Sequence, residues 1–259
     1  MDSEASEKSI IALDDWLQTP AGAYVRAWEQ ACLDELTADI FGFNAIQIGL
    51  PQITALAASR MPNKWQAATR TSSRSQLELA ADCKQIAVAL DFAELPFASQ
   101  SLDLVVMPHV LEFAAEPHQV LREVERVLIP EGHVIICGFN PASLWGVRQG
   151  VGKLTRANYL PVAGEFISMP RMKDWLKLLN LRVGGSHFGC YSPPVRTAKW
   201  LNRFSFMEEA GQRWWPYLGA VYMVHAVKRV KGMTMVGLAW NKKAASAPQA
   251  MPATNRKKD

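Results

Sequence analysis

The stretch that decides the fold runs D-F-A-E-L-P-F-A-S-Q-S-L-D-L-V-V-M-P-H-V-L-E-F from Asp91 to Phe113, and continues P-H-Q-V-L-R-E-V-E-R-V-L-I-P-E-G-H-V-I-I-C-G-F from Pro117 to Phe139. Leu102 to Met107 and His133 to Phe139 are near-continuous apolar runs, as expected of strands buried on both faces of a parallel sheet. Between them, Val120, Leu121, Val124, Val127 and Leu128 fall on one helical face, with Pro117 in the first turn and Pro130-Glu131-Gly132 as the stop. Upstream, Ile86 to Leu90 reads as another buried strand, with Asp91 at its carboxyl end. Ala45 to Ile48 is a strand ending at Gly49, and Pro51 to Ser59 reads as a helix entered through proline. Trp65 to Thr69 is a weaker strand, followed by a polar loop from Arg70 to Gln76 and a short helix around Leu77 to Ala81. Downstream come a helix from Met169 to Asn180 and strands from Leu181 to Cys190 and Ala220 to Val230. Strands alternating with helices predict a parallel, doubly wound α/β sheet.

The 259 residues are 49% hydrophobic and 20% charged, with 16 Gly and 15 Pro, which excludes collagen-like, low-complexity and largely disordered chains. The organisation expected is a helical preface over 1–40, broken at Thr19-Pro20, a domain over 41–240 and a disordered basic tail over 241–259. Lys242, Lys243, Arg256, Lys257 and Lys258 against Asp259 account for the whole formal charge of +4, so the body is neutral and nucleic acid is disfavoured as a partner. No apolar run approaches the roughly 20 residues of a membrane span, and no apolar signal follows the acidic start, so a cytoplasmic protein is expected. Cys32, Cys83, Cys137 and Cys190 form no metal-binding spacing, and His118, His133, His187 and His225 make no cluster with carboxylates; no metal is implied. Residues 192–218 interleave Trp200, Phe204, Phe206, Trp214, Trp215 and Tyr217 with Arg196, Lys199, Arg203 and Arg213. This segment reads equally as an aromatic acceptor pocket with cationic rims or as a helical cover over the sheet edge.

The Asp91 to Phe139 block closely resembles the centre of class I S-adenosylmethionine-dependent methyltransferases, in particular the group whose third and fourth strands are joined by an L-P-F…S-x-D loop. The phrases TPAGAYV, FGFNAIQIG, GFNPASLWGVR and GAVYMVHAVKR extend the likeness, from Thr19 to Arg229, to a group of uncharacterised bacterial methyltransferase-like proteins with a reduced glycine loop. The resemblance implies a Rossmann-like three-layer sandwich around a seven-stranded, mostly parallel sheet whose last strand is antiparallel. It implies S-adenosylmethionine as cofactor and methyl transfer to an unidentified acceptor, a small molecule being favoured. The alternative is a catalytically inactive relative that keeps the fold as a binding or scaffold protein.

Ligands of such sheets bind outside the carboxyl ends of the strands, where Gly49, Asp91, His109 and Asn140 fall. By the resemblance, Gln47, Gly49, Leu50, Asp91, Phe92 and His109 line the cofactor. Asp91 accepts from the adenine amino group in that reading, or simply caps the next turn. Asp103 is expected to order the loop. In Gln47-Ile48-Gly49-Leu50-Pro51-Gln52 one glycine of the usual pattern survives, Gln47 replaces the acid and Pro51 removes a backbone donor. The amide oxygen of Gln47 could still meet the cofactor's ammonium, or the stretch is only a tight turn. The second strand lacks the acid that would bind the ribose. His109 is the leading candidate for a general base, with Glu112 second; the bland alternative for His109 is a buried residue shaping the pocket.

Overall fold

The computed structural model describes residues 12–68, 86–89, 92–155, 159–160, 165–195 and 197–229. Seven strands, β1 (Asn44–Ile48), β2 (Asn63–Ala68), β3 (Ile86–Ala89), β4 (Leu102–Pro108), β5 (Leu128–Phe139), β6 (Leu181–Gly189) and β7 (Val221–Lys228), form one sheet in the order β3-β2-β1-β4-β5-β7-β6. The first five run parallel, and β7 lies antiparallel between β5 and β6. The expected sheet, with its antiparallel last strand, is the one observed. Successive connections leave β1 in opposite directions across the sheet, so a crevice opens at the carboxyl ends of β1 and β4.

Side chains alternate across the strands and build a core on each face. On one face Ile46, Ile48, Val105, Met107, Val134 and Ile136 meet helix α2 (Pro117–Val127) through Val120, Leu121 and Val124, and helix α4 (Met169–Leu178) through Met172 and Leu176. On the other, Ala45, Leu104, Val106, Ile135 and Cys137 meet helix α1 (Pro20–Ala38) through Val25 and Leu33, and helix α3 (Leu144–Thr155) through Trp145. The preface is therefore part of the sheet's core. Helix α1 starts where proline at its first turn makes a missing N–H harmless. Thr19 caps it, Oγ1 accepting from the Gly22 N–H at 3.2 Å. Thr19→Ala should cost about 1 kcal/mol in a urea-unfolding experiment, with no change in cofactor affinity.

Three expectations change. No helix covers residues 51–59; the chain there makes turns. Its backbone groups are satisfied by side chains from elsewhere: the Gln30 Oε1 accepts from Thr54 N–H at 3.0 Å, and Lys64 Nζ donates to the carbonyls of Leu56 and Ser59 at 2.9 and 2.5 Å. A helical ladder is thus unnecessary, and buried Ile53, Ala55 and Leu56 plug the core instead. The helix α2 does not stop at Pro130; it ends at Val127 and β5 begins at once with Leu128, passing Glu131 in the left-handed region at φ 64°. The 192–218 segment is neither all pocket nor all cover: it holds two short helices, α5 (Ala198–Arg203) and α6 (Phe206–Trp214). The helix expected around Leu77 to Ala81 lies outside the described residues. Among the described residues no helix is long and apolar enough to cross a membrane, and no group of His, Cys, Asp and Glu could hold a metal ion.

Candidate functional site

The end of β4 carries the most unusual chemistry. His109 follows the strand with φ 54°, its N–H donating to Cys137 O at 3.1 Å, and its ring is sealed inside the protein. Nε2 lies 2.7 Å from Glu29 Oε1 and Nδ1 lies 3.0 Å from Glu112 Oε2, with all three side chains at 0–2% exposure. The ring leans on Phe139, with centroids 4.3 Å apart. Glu112 Oε1 in turn accepts from the backbone N–H of Phe139. Burial alone would drive the imidazole neutral, but the two carboxylates outweigh it and hold its pKa up at about 10. The same burial raises Glu112, against the pull of His109.

This arrangement bears on His109 as a candidate general base. A base needs a free lone pair near neutrality, whereas both nitrogens here are engaged and the ring carries its proton. Glu112 is likewise held by His109 and Phe139. The second carboxylate, Glu29, was missed altogether because its partner lies 80 residues away. A signal did exist: Ala21, Val25, Glu29 and Leu33 recur every four residues on the buried stripe of α1, and a lone acid in such a stripe requires a partner. Glu29 Oε2 is buried and has no hydrogen-bond partner among the described residues.

At the end of β1, Gly49 keeps the left-handed turn (φ 83°) that a side chain would strain. Val110 Cγ2 stands 2.8 Å from where a Cβ would be, so the ends of β1 and β4 close against each other. The Gly49 N–H donates to Ala67 O at 2.9 Å and its carbonyl accepts from Gln66 Nε2 at 2.8 Å. Gln47 is wholly buried; Nε2 donates to the carbonyls of Leu50 and Ile53 at 3.0 and 2.5 Å, and Oε1 accepts from Ala55 N–H at 2.9 Å. Its amide thus shapes the 50–55 turn and turns no free oxygen towards a ligand. Leu50 and Phe92 are both core residues, on opposite faces of the sheet. Asp91 lies outside the described residues. Tested against S-adenosylmethionine, the described end of β1 fits in backbone conformation and does not fit in free hydrogen-bonding groups. Asp103 does what was expected of it, Oδ2 accepting from the N–H groups of Phe43 and Asn44 at 3.1 and 2.9 Å and so tying the β4 entry to β1.

Beyond β4, past Glu112, lies a cavity of 320 Å³. Phe166 and Trp175 supply apolar wall, with His118 4.1 Å from the Trp175 ring and the Arg171 guanidinium 5.0 Å from its centre. It is bordered by the segment that follows β4, and its size suits a small organic molecule.

Known proteins give the same architecture. A family model described as a methyltransferase domain matches residues 51–136. The chain is 28% identical over 252 residues to the uncharacterised protein YafS of Escherichia coli, covering 96% of this chain and 95% of that one. A SAM-dependent methyltransferase from Thermotoga maritima superposes with a TM-score of 0.63 at 14% identity, covering 88% of this chain and all of that one. A chain from the complex between the Haloferax volcanii Trm112 methyltransferase activator and a methyltransferase superposes at 0.58 with 16% identity, covering 85% and 96%.

Proposed function

We propose that this chain, a class I S-adenosylmethionine-dependent methyltransferase by domain and fold, transfers a methyl group to a small organic acceptor held in the 320 Å³ cavity beyond β4. The observation that carries the reading is that the cavity is lined by Leu111 to Ala114, the segment that directly follows the carboxyl end of β4, on the side of the sheet where open α/β folds bind ligands. S-adenosylmethionine, when bound, supplies a methyl group on a sulfonium whose departure leaves a neutral thioether. Gly49, Leu50, Asp91 and Phe92 are the proposed residues nearest to it. Gln47 stands behind them as the support of the turn.

The chain's own groups do the rest. Transfer from a sulfonium is mainly a matter of alignment, and a rigid wall meets that demand. The Glu29–His109–Glu112 cluster fixes the end of β4 and seals the rim from water, while keeping a proton on His109. The acceptor must therefore arrive as a competent nucleophile or lose its proton to solvent or to a group other than His109.

The test is transfer of label from S-adenosyl-[methyl-³H]methionine into fractionated bacterial extract. Label in the small-molecule fraction, lost in Asp91→Ala, is the expected result. Label confined to protein or RNA would overturn the small acceptor, and none in any fraction would remove the enzyme reading. A second reading, a methyltransferase fold kept as a silent binding protein, is favoured by one observation: the end of β1 is closed by Gln47 and Val110.

A further inference from the structure

A second cavity, of 550 Å³, lies elsewhere. Three segments make it: α1 through Trp28, Cys32 and Glu35, the end of β6 through Phe188, and the stretch flanking α5 and α6 through Tyr191 and Tyr217. None of these residues lies in the 51–136 block shared with methyltransferase domains.

Its walls are preset. Trp28 sits where only glycine leaves room, since a Cβ on Gly189 would come within 2.0 Å of the indole. The Tyr191 hydroxyl donates to Pro216 O at 2.8 Å, fixing that ring. Tyr217 meets Phe188 edge-on at 5.6 Å and 85°. Four aromatic rings thus border a space of ligand size without needing to reorganise.

The charges are one-sided. Among the described residues, Glu35 is the one carboxylate lining the cavity, and no lysine or arginine lines it. Glu35 has no ion pair or hydrogen bond among the described residues. Cys32 adds no competing charge, because burial, with Glu35 and Glu29 near it, pushes its thiol up to about 12. His187 also lines the wall, as do the phenols of Tyr191 and Tyr217. Aromatic faces present negative charge density, and a single carboxylate adds a full one, so the complement is a bulky, weakly hydrated cation. A small metal ion would demand several oxygen ligands that this wall does not have.

We infer that the cavity between α1, β6 and Tyr217 binds an organic cation, a substituted ammonium of small-molecule size. The inference does not depend on methyl transfer, because the groups at the ends of β1 and β4 contribute nothing to it.

Choline and benzyltrimethylammonium, each titrated calorimetrically into the full chain, test it, with 3,3-dimethylbutan-1-ol as the uncharged isostere of choline. Choline should bind about tenfold or more tighter than the isostere, and Glu35→Gln and Tyr217→Ala should each weaken both cations by about tenfold. Glu35 and Tyr217 are exposed, so unchanged circular dichroism should accompany both variants. Equal binding of the isostere, full affinity in both variants, or no binding of either cation to folded protein would each overturn the assignment.

Discussion

Glu29→Ala is expected to destabilise the protein by about 3–5 kcal/mol, the effect of removing one partner from a buried ion pair. The residue lies on the preface helix, outside the block matched to methyltransferase domains, yet its carboxylate is 2.7 Å from a fully buried imidazolium. Without it, His109 keeps only Glu112 against the burial that disfavours its charge, and its pKa falls. The pH dependence follows. A histidine raised from 6.5 to about 10 stabilises the fold fully below pH 6.5 and loses that contribution as pH rises towards 10. Glu112, also raised, acts in the same direction at lower pH. Unfolding free energy measured in urea should therefore decline between pH 6.5 and 10 in the wild type, and decline less steeply in Glu29→Ala. A slope unchanged by the substitution would mean that His109 is not charged in the folded protein.

Gln47→Glu is the second large effect. Methyltransferase domains commonly place an acid here, so the substitution restores the usual residue, but this turn has been built around an amide. A carboxylate cannot donate to Leu50 O and Ile53 O, and would set its charge against two buried carbonyls. At about 1–3 kcal/mol for each unsatisfied group, a loss of about 3 kcal/mol or more is expected at neutral pH. The loss should shrink in acid, where a protonated carboxyl regains one donor. Thermal unfolding at pH 5 and pH 8 checks this; a stabilising substitution would show that the turn rearranges to accept the acid.

Much of the sheet was legible because burial on both faces leaves near-continuous apolar runs, and Leu102 to Met107, broken only by Asp103, and Ile86 to Leu90 carry that mark. The turn at 51–59 was misread for a reason local sequence cannot reveal: Pro51 is a fair helix start, but Gln30, Gln47 and Lys64 satisfy the backbone from a distance. His109 was legible at the end of β4, but the carboxylates that engage its ring were not both legible, since Glu29 lies far away in the chain. The aromatic 192–218 segment divided. Tyr217 lines the larger cavity while Trp200 and Trp214 face solvent at 50% and 72% exposure.

The central claim, that the crevice at β1 and β4 receives S-adenosylmethionine despite the closed amide of Gln47, is tested most directly by isothermal titration. Purified protein is titrated with S-adenosylmethionine and S-adenosylhomocysteine, and the titration is repeated on Asp91→Ala. Saturable binding of both, weakened about tenfold or more in the variant, is the predicted result. No heat and no thermal stabilisation by either ligand, from protein shown to be folded, would contradict it and leave the silent methyltransferase fold as the better account.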